Sequence, residues 1–136
     1  MKNIFQSYRL LILWVGLVFL LIAVPGEFIP VVRTFRDWLQ WDKLVHFLLF
    51  GGVAFLLLWG REKQQLQLAT LPYYIIAFFS GTLYGGFTEW YQSLSFVRRD
   101  GNIFDFYADT LGSLLGVLLF FLLKNKVLAY LKQHNS

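Results

Sequence analysis

Residues 104–123 read FDFYADTLGSLLGVLLFFLL, twenty residues whose only charged groups at neutral pH are Asp105 and Asp109. At about 1.5 Å per residue, a helix of this length crosses the roughly 30 Å hydrocarbon layer of a bilayer. Asp105, Asp109, Gly112 and Gly116 follow one another at steps of four, three and four, so they share one helix face. Small residues at this spacing let helix backbones approach closely in lipid. The stretch therefore predicts a transmembrane helix that packs by its glycine face and carries two carboxylates inward at one end. Lys124 and Lys126 close the run, and a mobile tail is expected after them.

Three further apolar runs lie upstream. Residues 10–24 carry no charge and stop at Pro25-Gly26, near the lower limit for spanning unless Arg9 snorkels. A positive residue followed by such a run also fits a secretory signal, but Pro25 and Glu27 suit cleavage badly, and an uncleaved anchor is the expectation. Residues 44–59 form the second run, ended by Gly60-Arg61-Glu62-Lys63; residues 71–94 form the third and longest, with Pro72 in its first turn, where a missing amide proton costs least. Between the first two runs, Val31, Val32, Phe35, Trp38 and Leu39 fall near helical spacing among charges, as in a helix lying in the interface. The predicted fold is an all-α integral membrane protein: one domain, a four-transmembrane-helix bundle with a short interfacial helix between spans 1 and 2.

Composition agrees. Hydrophobic residues make up 57% of the chain and charged residues 15%, against about 25% charged in an average soluble domain. The formal charge of +4 is spread among apolar runs, which favours contact with anionic lipid and disfavours nucleic acid. Seven basic residues fall on one side of the four spans (Lys2, Arg9, Arg61, Lys63, Lys124, Lys126, Lys132) and five on the other, which predicts both termini in the cytoplasm. Trp38, Trp41, Trp59, Tyr73 and Trp90 near span ends read as an aromatic belt. With no cysteine, thiolate catalysis and thiolate metal sites are excluded.

The acidic residues are more lopsided than the basic ones: only Glu62 lies on the predicted cytoplasmic side, and seven sit in or beside the opposite loops. Asp42, Lys43 and His46 fall in the first turns of the second span, Glu89 and Gln92 in the last turns of the third, and Asp105 and Asp109 in the first turns of the fourth. Hairpin connectivity puts these ends at one membrane face whichever way the chain is oriented. In the third span Gly81, Gly85, Glu89 and Gln92 also share a face. A charge facing lipid at that depth costs on the order of 2.5 to 3.5 kcal/mol, so these groups are expected to face one another or a wet cavity. Five acidic residues (Asp42, Glu89, Asp100, Asp105, Asp109) against Lys43, Arg98 and Arg99 leave a net −2. Protonation of a carboxylate or of His46, a divalent cation such as Mg²⁺ or Mn²⁺, or a cationic ligand would offset it.

The same residues resemble motifs of the VanZ-like family of small bacterial membrane proteins. Trp41-Asp42-Lys43-Leu44-Val45-His46-Phe47 is similar to its W-D-K-x-x-H-F element, and Glu89-Trp90-Tyr91-Gln92 to its E-x-x-Q element. Arg99, Asp105 and Ala108-Asp109-Thr110-Leu111-Gly112 resemble its R-x₅-D-x₃-(N/D)-T-x-G element. Asn102 stands where many relatives have an acidic residue. The resemblance covers residues 41–116. It implies a bacterial cell-envelope role in the cytoplasmic membrane, with teicoplanin resistance in some members, and no particular reaction.

Three function classes fit this pattern. A binder would hold an anionic lipid head group, or a lipid-linked cell-wall intermediate or lipoglycopeptide, through Asp42, Lys43, Gln92, Arg98, Arg99 and Asp109; paired arginines suit a phosphate or carboxylate. A membrane-embedded enzyme on such a lipid would use Glu89 or Asp105 as general base, His46 as acid or ligand and Arg99 as phosphate holder. A small proton-coupled transporter is the third, disfavoured by the lack of an internal repeat. No Gly-x-Ser-x-Gly, paired-His metal motif or phosphate-cradling glycine loop is present. A purely structural ion-pair network stapling three helices would use the same residues.

Overall fold

The computed structural model describes residues 3–23, 41–94 and 103–134. Among them it has four helices: α1 (Ile4–Ala23), α2 (Trp41–Gln65), α3 (Leu71–Gln92) and α4 (Ile103–Gln133). The interfacial helix expected before Asp42, and the loop that carries Arg98 and Arg99, lie outside the described residues. Helices α1, α2 and α4 are long and apolar enough to cross a membrane. In α3, Pro72, Ser80, Thr82, Thr88 and four tyrosines dilute the hydropathy.

Helix α3 starts at Leu71 as expected, but other helix ends differ from the extent of their apolar runs, and the reasons are local. Helix α1 starts six residues earlier than the run, because Asn3 caps it: the Asn3 side-chain oxygen accepts the Phe5 N–H at 3.1 Å. That lengthens the weakest span to 20 residues. Helix α2 runs through Gly60-Arg61-Glu62-Lys63, which the sequence reads as its end, and stops only at Leu66, whose left-handed φ of 53° lets its N–H donate to the Glu62 carbonyl at 2.7 Å. Helix α3 stops two residues short of the predicted boundary, with the Ser93 hydroxyl donating to the Trp90 carbonyl. Helix α4, not α3, is the longest at 31 residues. The expected tail after Lys126 is helix to Gln133, because Val127 and Leu131 continue a buried stripe and the Tyr130 ring lies 5.9 Å from that of Trp59.

Apolar side chains face outward: Leu83 and Leu122 are 72% and 74% exposed, while Glu62, Thr88, Asp109 and Ser113 are fully buried. That inversion is the surface of a protein that meets lipid. Inside, the broadest packing is between α2 and α4. It is backbone on backbone, since a Cβ at Gly112 would run into the Phe47 carbonyl and one at Gly116 into the Gly51 carbonyl. Helix α3 closes on α4 through Gly81, against the Ser113 side chain, and Gly85, against Asp109. Helix α1 leans mainly on α2. Three hydrogen bonds hold it: Trp14 Nε1 donates to the Leu49 carbonyl and the Tyr84 hydroxyl to the Val15 carbonyl, each at 2.9 Å, and Lys63 Nζ to the Gln6 carbonyl at 3.3 Å. Neither aromatic was singled out by the sequence, where Trp and Tyr read as a belt.

One stripe along α2 organises the interior. His46, Phe50, Ala54, Leu58 and Glu62 recur every four residues and are all buried. Phe50 packs with Val18 and Ile22 of α1, while Ala54 and Leu58 join Tyr74, Ala77, Val117, Phe120, Val127 and Leu131 in the larger core. The stripe is apolar in its middle and ionisable at both ends.

Candidate functional site

The polar end of the bundle is assembled from α2, α3 and α4. Lys43 and His46 lie one turn apart on α2, and Asp105 and Asp109 one turn apart on α4, so the two helices meet as two rungs. On the outer rung, Lys43 Nζ donates to Asp105 Oδ1 at 3.1 Å, with the lysine side chain 27% exposed. On the inner rung, His46 Nδ1 faces Asp109 Oδ1 at 2.9 Å, and both residues are buried. Helix α3 adds Glu89, whose Oε1 lies 3.8 Å from the same His46 nitrogen. One ligand-type atom from each of His46, Glu89 and Asp109 lies within 4.8 Å of the other two.

Close packing sets this register. Phe47 and Gly112 are in backbone contact one residue from His46 and three from Asp109, so the α2–α4 glycine seam fixes which histidine meets which aspartate. Gly85 does the same for α3: a Cβ there would lie 2.7 Å from Asp109 Cβ and 2.8 Å from its Oδ2. Beneath the cluster, the His46 ring stacks on Phe50 at 6.1 Å, and Phe50 packs on Tyr84 at 5.5 Å. Thr88 and Ser113 turn their hydroxyls back onto the Gly85 and Asp109 carbonyls at 2.8 Å and satisfy themselves within their own helices. Gln92 is 2% exposed, one turn beyond Glu89, and its side-chain nitrogen has no hydrogen-bond partner among the described residues.

Of the residues the sequence groups here, His46, Glu89, Asp109, Lys43 and Asp105 are thus brought together as a triad and an adjoining pair. Gln92 continues the α3 face. Asp42 belongs to the first turn of α2, and Arg98 and Arg99 lie outside the described residues. No family model, curated protein or solved structure matches the chain. What the site can do therefore follows from its own chemistry: a histidine nitrogen flanked by two carboxylates can hold a proton or a cation, and a partly exposed lysine beside it can meet an anion.

A second polar cluster, at the opposite end of α2, was missed. Glu62 Oε1 accepts the Ala69 N–H at 3.1 Å, and an Arg61 terminal nitrogen donates to the carbonyls of Gln67 at 2.7 Å and Leu68 at 3.1 Å. The guanidinium also lies 4.5 Å above the Tyr73 ring. A run of charges reads as a solvated loop, yet the step of four from Leu58 to Glu62 is the signal that the helix, and its buried face, continues. Here side chains do the capping that a loop's own backbone cannot. Arg61→Ala is expected to cost about 2 kcal/mol, the range for hydrogen bonds to a charged donor, and to open residues 67–69 to protease. Unchanged thermal unfolding in detergent, with no new cleavage there, would refute the clamp.

Proposed function

We propose that the chain is a VanZ-like, multi-pass protein of the bacterial cytoplasmic membrane, with four spans and both termini in the cytoplasm. In this reading its polar pocket binds the anionic head group of a membrane lipid or lipid-linked cell-wall intermediate. The observation that carries this is the convergence of Lys43, His46, Glu89, Gln92, Asp105 and Asp109 from three helices at one end of the bundle. Intramembrane ionisable groups are costly, which makes a ligand-handling role the default for such a cluster. Lys43 supplies a partly exposed cation at the rim. An apolar cavity of about 320 Å³ lined by Trp14, Phe47, Gly51, Gly52, Phe55 and Leu119 begins on α2 at the residue after His46, which suits the acyl chain of an amphiphile. Helix α3, packed on α2 and α4 by Gly81 and Gly85, supplies the fourth span in spite of its diluted hydropathy.

The His46–Asp109 contact favours one second reading, an enzyme acting on such a lipid, because an imidazole oriented by a buried carboxylate is the usual form of a general base. Both readings are tested in one experiment. The protein would be purified in mild detergent with its co-purifying lipids, which would be identified by native mass spectrometry and followed over time for a change in mass. Wild type is expected to retain anionic lipid and Lys43→Ala to lose at least about fivefold of it. Equal retention by both would overturn head-group binding, and a lipid product that accumulates with time would replace the binder with the enzyme.

A further inference from the structure

We propose that His46, Glu89 and Asp109 form a binding site for one divalent transition-metal ion. This goes beyond head-group binding and does not depend on it. The three side chains come from three different helices, are 3%, 8% and 0% exposed, and present their donor atoms within 4.8 Å of one another. Two donors bound to one ion at about 2.1 Å lie about 3.0 Å apart at an octahedral right angle and about 3.4 Å apart at a tetrahedral one. The measured separations from His46 Nδ1, 2.9 Å to Asp109 and 3.8 Å to Glu89, bracket that interval. The Glu89 separation exceeds the tetrahedral figure by about 0.4 Å, so on binding an ion the Glu89 carboxylate closes toward the His46 nitrogen.

Charge and donor type narrow the ion. Two carboxylates with a neutral imidazole carry −2, which a divalent ion balances, so metal and ligands together bury no net charge. The imidazole donor disfavours Mg²⁺ and Ca²⁺, which prefer oxygen, and favours Mn²⁺, Fe²⁺ or Zn²⁺. Nδ1 is the histidine donor, because it is the nitrogen that faces both carboxylates; the ring proton is then left on Nε2. Three protein ligands leave coordination positions for water or a ligand oxygen. Gly85 keeps the site narrow enough, since any side chain there would occupy the space of the Asp109 carboxylate.

The test uses the whole chain in nanodiscs of zwitterionic phosphatidylcholine, stripped with chelator and titrated with Mn²⁺, with the bound ion read by electron paramagnetic resonance. Wild type is expected to bind one Mn²⁺ per chain, to keep it in a large excess of Mg²⁺, and to show nitrogen coupling from one directly bound imidazole. The chain has two histidines, so His134→Ala serves as the control and is expected to bind as wild type does. His46→Ala and the nearly isosteric Asp109→Asn are expected to lose at least about tenfold in affinity. Less than one tight ion per chain, an ion without nitrogen coupling, or loss of binding in His134→Ala would overturn the site. Because the coupling is measured on wild type, the result stands even if His46→Ala does not fold.

Discussion

Gly112→Ala is expected to be among the most damaging single-methyl additions in the chain. The new Cβ would fall against the carbonyl oxygen, carbonyl carbon and Cα of Phe47, all backbone atoms of a helix that cannot rotate away. Overpacking a well-packed interior costs about 1 to 3 kcal/mol, and this position sits at the upper end because no flexible side chain can yield. Gly116→Ala meets the backbone of Gly51 in the same way. Gly16→Ala is the internal control, with nothing within 4 Å of its added methyl, and alanine's better helix propensity predicts no loss. Unfolding of the three variants in mixed micelles should therefore rank Gly112→Ala and Gly116→Ala far below Gly16→Ala. Similar stabilities for all three would mean that α2 and α4 do not meet along this seam. Since the seam also sets the His46–Asp109 register, Gly112→Ala should disturb the polar site even where the protein still folds.

Asp109→Ala has the second large effect, on the order of 3 to 5 kcal/mol, the range for removing one partner of a buried pair. It deletes the oxygen that His46 faces at 2.9 Å and leaves a void against Gly85. Asp109→Asn keeps the volume and one acceptor, so its cost should be nearer 1 to 3 kcal/mol. A double-mutant cycle with His46→Phe separates the terms: Asp109→Ala should be markedly less harmful when the histidine is already gone. Additive costs in that cycle would show that the two residues are not coupled and that the aspartate matters only for packing.

Much of this site was legible in the sequence because helix geometry is local. Steps of three and four place Glu89 with Gln92 and Asp105 with Asp109, and hairpin connectivity brings those ends to one depth. Which side chain meets which is a property of two helices at once. The sequence does not say which carboxylate meets which partner: Asp105 is engaged by Lys43, and Asp109 faces His46. That one-turn choice is made by Gly112 and Gly116 against Phe47 and Gly51, a contact no single-helix periodicity contains. Helix ends were misjudged for another reason. Apolar runs measure where lipid-facing side chains stop, but hydrogen bonding continues through Arg61-Glu62 and Lys124–Lys126 because the buried face continues beneath the charges.

The stripe His46, Phe50, Ala54, Leu58, Glu62 also acts as a ruler. Its two ionisable ends are sixteen residues apart, or about 24 Å along the helix axis, and each is tied sideways, His46 to α4 and Glu62 to the turn before α3. A helix with free ends answers a thicker or thinner bilayer by sliding or tilting, at a modest cost per ångström of mismatch. With both ends of α2 pinned, sliding past its neighbours is blocked and the bundle has to tilt as one body or deform the lipid around it. The spacing between the two polar ends is thereby held by a single row of side chains, whatever the chain length of the surrounding lipids.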